Sequence, residues 1–167
     1  MNKTLGFPKG VRQLGEGFCG PNAMKHLIFY KYGLEIPEDS LMKVGCGSKK
    51  DGVSVRGMEK IATKFNLNYD LKHGSSISDL VESISKENPV ILLVQAWPDR
   101  KIHDWSRTWD YGHYVVVIGY NQKKDKVTYY DPYDGKKKFL SKEKLNEIWH
   151  DRDSENVYVN FGMFFRN

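Results

Sequence analysis

CGPNAMKHLIFYKYG, residues 19–33, is a helix with a cysteine at its mouth. Ala23, Leu27 and Tyr30 recur at helical spacing, with Met24 and Ile28 beside them. Pro21 falls in the first turn, where backbone N–H groups have no intrahelical acceptor, and Gly33 is placed to end the helix. Working outward, a second helix fits Ser54 to Asn66, with Val55, Met58, Ala62 and Phe65 on one side. A third runs from Ile77 to Glu87, opened by a capping box of Ser76 and Asp79 and stopped by Pro89. The pattern then changes. VILLVQA, residues 90–96, is a continuous apolar run of strand length, which implies burial on both faces. HYVVVIGY, residues 113–120, is the strongest strand, and KVTYYD, residues 126–131, reads as its hairpin partner. Lys137 to Leu140 fits a short edge strand. Ser141 to Trp149 fits a small capped helix with Leu145, Ile148 and Trp149 inward, and Val157 to Phe165 fits a closing strand. Helices first and a mostly antiparallel sheet second define an α+β fold. No linker, repeat or long charge block divides the chain, so residues 1–167 are expected to form one domain.

The bulk properties exclude several classes. A chain of 167 residues that is 40% hydrophobic can bury a real core. Its net charge of +5 lies largely in short lysine runs, at 49–50, 123–124 and 136–138, which fit turns and solvated loops. No basic face interleaved with aromatics is legible, which argues against a nucleic-acid partner. Residues 1–15 hold no apolar run of signal-peptide length, and no stretch approaches a membrane span. With only two cysteines, the expected setting is soluble, reducing and cytoplasmic. His103-Asp104 and His150-Asp151-Arg152-Asp153 do not match a metal-ligand spacing, so neither metal nor other cofactor is expected.

What remains is thiol chemistry. A thiol ionises near neutrality only in a positive environment, such as a helix N-terminus or a histidine in contact. That histidine needs a third group to fix its orientation, and the carbonyl under attack needs donors for the negative charge it develops. The chain supplies candidates in each role. Cys19 stands at the helix start, between Gly17 and Gly20, which would leave room for a substrate backbone. His113 opens a buried strand as candidate base. Asp131 ends the paired strand just before Pro132, as the orienting group. Gln13, six residues before Cys19, is placed to join the Cys19 N–H in an oxyanion hole.

Gln13, Phe18-Cys19-Gly20-Pro21-Asn22-Ala23, then Gly112-His113-Tyr114-Val115-Val116-Val117-Ile118-Gly119-Tyr120, then Tyr129-Tyr130-Asp131-Pro132, resemble the C39-like cysteine peptidases of the papain clan. The resemblance runs from about Val11 to Trp149, with the motifs in the family's order. It implies a papain-like fold and a Cys19–His113–Asp131 triad with Gln13 as oxyanion donor. Members of that family include domains that cleave leader peptides after a double glycine on export transporters. No transporter segment is legible within these 167 residues, so a double-glycine substrate is not expected from the resemblance alone.

The expected reaction is hydrolysis of a peptide or amide bond through a thioester, with a peptide or protein as substrate. Interception of the same acyl-enzyme by an amine or thiol would make a transpeptidase or acyltransferase, and a peptide-binding module of the same fold is the non-enzymatic alternative. Cys46, between glycines but without a comparable helix start, reads as a loop residue, and His26 and His73 as surface or helix-face residues. Trp97, Trp105 and Trp109, crowded before His113, are expected to form a substrate wall, with Trp105 and Trp109 as its binding residues.

Overall fold

A computed structural model describes residues 1–96, 101 and 104–167. Its elements run, in chain order, β1 (Asn2–Thr4), α1 (Cys19–Tyr32), α2 (Glu38–Val44), α3 (Val55–Lys64), β2 (Asn68–Lys72), α4 (Ile77–Ser85) and β3 (Val90–Gln95). They continue through a single 3-10 turn (Trp105–Arg107), β4 (Gly112–Asn121), β5 (Lys126–Asp131), β6 (Lys136–Ser141), α5 (Lys142–Ile148), β7 (His150–Arg152), β8 (Val157–Val159) and β9 (Gly162–Arg166). The class is α+β, as the pattern of the sequence implies.

Among the described residues, seven strands form one antiparallel sheet in the order β2-β9-β3-β4-β5-β6. The seventh, β1, pairs with the far end of β4. The centre of the sheet is β3 and β4. Every residue of β3 is buried, as its unbroken apolar run requires. β4 is long enough to hold β3 along residues 112–117 and β1 along 119–121. Gly119 makes that handover possible: a Cβ there would lie 2.7 Å from the Lys3 carbonyl oxygen. The β4–β5 register also shifts between Val117 and Gly119.

The helix caps follow the local chemistry of the sequence. Ser54 Oγ accepts from Gly57 N–H at 3.1 Å at the head of α3. In α4, Ser76 Oγ accepts from Asp79 N–H at 3.2 Å while Asp79 accepts from Ser76 N–H at 2.7 Å, a complete capping box. Gly33 ends α1 with φ +68 and donates to Phe29 O. Leu145 and Ile148 of α5 and Trp149, which caps its C-terminus, are all buried in the core, and Trp149 Nε1–H donates to Phe161 O at 2.9 Å.

One expected element divides. The closing strand expected over 157–165 is two strands, because Asn160 takes φ +49 and turns the chain. The first half, β8, pairs with β7 in a separate two-stranded sheet, and the second half, β9, enters the main sheet between β2 and β3. That small β7–β8 hairpin becomes one rim of the site.

Candidate active site

Cys19 is the first residue of α1, so its side chain sits among N–H groups that have no partner within the helix. Its sulfur is bonded by the His113 ring and by the backbone N–H groups of Tyr114 and Gly20. Burial alone would push the thiol up, yet these contacts and the charge of His113 bring its pKa below the ordinary thiol value.

His113 is the second residue of β4. Nε2 lies 2.7 Å from Asp131 Oδ1, which leaves Nδ1 as the ring nitrogen for the thiol. The hairpin explains the pairing. Val116 lies opposite Tyr130, so Asp131 falls two places from His113 on the same sheet face. Burial would lower the imidazole, but hydrogen bonds and charge from Asp131 and Cys19 raise its pKa to about 10. Asp131 is only 7% exposed. Burial would raise its carboxyl. His113, the Lys138 ammonium at 2.6 Å and the Tyr133 N–H at 2.9 Å instead hold it well below the usual carboxylate range. Cys19, His113 and Asp131 are thus linked in one hydrogen-bonded chain, and the shifts favour the charged form of each group.

Lys138 was not legible as part of this unit, because it stands in a lysine run that reads as a solvated turn. The hairpin register supplies the missing signal. Asp131 pairs with Lys136 and Tyr129 with Lys138, so Lys138 is the diagonal neighbour of Asp131 on its own face.

Gln13 is held on the Asp131 side. Its N–H donates to Pro132 O at 2.9 Å, its Nε2 donates to Gly15 O at 2.7 Å, and its buried Oε1 has no partner among the described residues. The segment before it is pinned at both backbone groups of Val11. Val11 N–H donates to His26 Nε2 at 3.1 Å, while Val11 O accepts from Asn22 Nδ2 at 2.8 Å and from the Tyr130 hydroxyl at 3.1 Å. His26 is buried, not a surface residue. Burial lowers its pKa, which keeps Nε2 free to accept.

Cys19, His113, Gly112 and Tyr114 line a cleft of about 890 Å³. One wall is the loop and helix start carrying Cys46, Ser48, Asp51, Arg56 and Lys60, and the other is Asp151 to Glu155. Gln13 is outside this lining.

Four expected substrate residues sit differently from the sequence reading. Gly17 borders the cleft, but its φ is +78 and a Cβ would lie 2.6 Å from Lys49 O, so the protein's own backbone occupies the space beside it. Gly20 is buried against the Met58 sulfur and the Tyr114 ring, not open to a substrate. Trp105 is 4% exposed and lies in the core with its ring edge towards Tyr111, and Trp109 is half-buried against the His150 ring at 4.6 Å. Neither tryptophan lines the cleft. Trp97 and His103 lie outside the described residues. Cys46 is exposed in a turn at φ +53, with Lys60 Nζ 3.6 Å from its sulfur.

Residues 8–157 match the profile of the Peptidase_C39 like family, and the chain belongs to that family. Solved structures agree on the fold. A candidate C39-like peptidase from Bacillus anthracis superposes with a TM-score of 0.75 at 17% identity, covering 100% of this chain and 98% of the other. The peptidase domain of Streptococcus ComA, a bi-functional ABC transporter of a quorum-sensing pathway, gives 0.66 at 20% identity, with 94% and 96% covered. A double glycine motif protease from an AMS/PCAT transporter, solved in complex with its leader peptide, gives 0.64 at 15% identity, with 100% and 99% covered. A search of curated proteins finds no match. Family and fold together support a peptidase of the cysteine type. Among the described residues, no helix is long and apolar enough to cross a membrane.

Proposed function

We propose that this protein hydrolyses a peptide bond through a thioester formed on Cys19. The observation that carries the reading is the link of Cys19 to His113 and of His113 to Asp131, the latter at 2.7 Å, at the edge of an open cleft. The Cys19 thiolate attacks the carbonyl carbon. The His113 imidazolium gives its proton to the departing amine, and the now neutral ring takes a proton from water as that water attacks the thioester. The acyl group leaves as a carboxylic acid, and the thiolate–imidazolium pair is restored.

The tetrahedral oxygen needs donors. The Cys19 N–H is one, free because it opens α1. Gln13 is the other in this reading: Nε2 spends one hydrogen on Gly15 O and retains a second. The tether of Gln13 to Pro132, next to Asp131, supports that role by tying the donor to the same hairpin end as the triad. Asp131 holds the ring, and Lys138 holds Asp131. A peptide substrate accords with the family and with the leader peptide bound by one of the neighbours.

The test is turnover of a peptide library followed by mass spectrometry, with wild type beside Cys19→Ala. Cleavage that is lost in the variant, with an acyl adduct trapped on Cys19 in wild type, is the expected result. Cleavage that survives in Cys19→Ala would overturn the reading.

A further inference from the structure

The cleft holds a second buried carboxylate that the triad does not use. Asp151, in the middle of β7, is 8% exposed and lines the cleft beside Gly112 and His113. Its carboxylate lies directly over the Gly112 Cα. A Cβ built there would come within 2.4 Å of Oδ2 and 2.5 Å of Oδ1. Residue 112 can therefore be only glycine while the acid occupies this place, and that glycine immediately precedes His113 on β4.

What distinguishes Asp151 is how little it is bonded. Asp131 has three donors around it, and Asp153 accepts from Val55 N–H, Glu155 N–H, Asn156 N–H and the Tyr158 hydroxyl. Asp151 has the Arg152 N–H and a 3.4 Å contact from Gln95 Nε2, whose shorter bond, at 3.0 Å, goes to His150 O. Among the described residues, no Lys, Arg or His lies within ion-pair distance of it. Burial pushes its pKa up to about 6, and the neighbouring Asp153 adds to the rise. The charge of the exposed Arg152 side chain offsets only part of that rise, so above that pH Asp151 is a buried charge with no ion-pair partner among the described residues, an arrangement that costs stability unless something else supplies the partner.

Resting on the peptidase reading above, we propose that Asp151 is a subsite for a cationic group of the substrate, an ammonium or guanidinium located within a residue or two of the scissile bond. Lys50, Arg56 and Lys60 lie on the opposite wall, and Arg152, next to Asp151 in the chain, is the cation on its own wall; it is exposed and, among the described residues, acts on the carboxylate through its charge without an ion-pair contact. A lysine or arginine entering beside His113 would complete the buried pair and leave the peptide carbonyl next to Cys19. An amino terminus would do the same with its α-ammonium.

Two measurements test this at pH about 8. Peptides identical except for Lys or norleucine at each position flanking the cleaved bond are compared by kcat/KM, with the amino terminus free or acetylated. Their Kd values are also measured on Cys19→Ala, where no chemistry is required. Wild type should favour the cationic member about tenfold or more, the size of a desolvated charge-assisted contact. In Asp151→Asn, verified as folded by its melting temperature, the ratio should collapse towards one. Loss of the preference on acetylation alone identifies the amino terminus as the cation, and loss on norleucine alone identifies the side chain. Equal Kd values for charged and neutral members, or a preference that survives in Asp151→Asn, overturn the subsite. A binding preference without turnover would retain the subsite and sink the peptidase reading, so the two fail separately.

Discussion

Cys19 and Cys46 border the same cleft in unlike surroundings. Cys19 has a base in contact and two backbone N–H groups on its sulfur, whereas Cys46 is an exposed turn residue with Lys60 nearby. Limiting iodoacetamide at pH about 6 should therefore alkylate Cys19 well ahead of Cys46, as read by peptide mapping. Labelling of Cys46 first would remove Cys19 from the nucleophile's role. The groups behind the thiol should follow a hierarchy. Cys19→Ala and His113→Ala should each abolish turnover, since nucleophile and base act together. Gln13→Ala should lower kcat by about 10²–10³ with little change in KM, the usual size for one oxyanion donor. Asp131→Asn should be milder than His113→Ala and should move the pH profile. In the triad reading, the alkaline limb should follow loss of the His113 proton, whose pKa is raised to about 10, and the acid limb protonation of the Cys19 thiolate, whose pKa is lowered. Replacing Asp131 removes the main group that raises the imidazole, so the alkaline limb should fall. A limb that stays in place in Asp131→Asn would show that Cys19, not Asp131, sets the histidine's proton affinity.

At the scale of elements, the local signals of the sequence were sufficient for what is local. The helix from Cys19 to Gly33, the capping box at Ser76, the buried run of β3 and the β4–β5 hairpin depend on neighbours in the chain, and they form as expected. α2, β2 and β7 were not legible. β2 and β7 have five and three residues, too few for a periodicity to emerge, and α2 opens on Pro37 without the side-chain cap that Ser141 gives the equally short α5. The crowding of tryptophans before His113 was misleading for a related reason: composition says that rings lie near one another, not which way they face. Trp105 packs in the core against α5, so Trp105→Ala should destabilise by about 3–5 kcal/mol, with the melting temperature falling accordingly. Trp109→Ala should cost less, because that ring is half-buried. The two glycines around Cys19 separate in the same way. Gly17→Ala meets both a positive φ and the Lys49 and Ser48 carbonyl oxygens, which are backbone and cannot move aside. Gly20→Ala meets the flexible Met58 sulfur at 2.9 Å and the edge of a ring. Urea denaturation should find Gly17→Ala the more damaging of the two. The reverse order would mean that the turn before α1 can rearrange.

For the whole molecule, the cleft could not be read from the sequence because its walls come from segments about 100 residues apart, 46–60 and 151–155, joined only by the fold. Asp151 was visible only as one letter in His150-Asp151-Arg152-Asp153, and its isolation is a property of the assembled structure. That isolation has a cost that equilibrium unfolding can measure. A free aspartate ionises near 3.8, and Asp151 in the folded chain near about 6. Between those values the folded state holds a proton that the unfolded chain has released, so stability falls as pH rises through this window. Above it, wild type carries the full penalty, ~2–3 kcal/mol at most. The groups around the carboxylate are Gln95, Arg152, Asp153 and the strand carrying His113, and all of them remain in Asp151→Asn. Asp131 runs the other way, contributing stability that is lost only as pH falls below the ordinary carboxylate range, and it cancels between the two proteins. Asp151→Asn should thus match wild type near pH 4 and exceed it by up to ~2–3 kcal/mol at pH 8, with the gap opening between pH 4 and 6. A gap that does not change with pH, or a variant less stable than wild type at pH 8, would show that the fold already compensates this charge. The expected outcome instead leaves the acid a net burden on the folded chain, of the kind that a cationic group placed beside it in the cleft would offset.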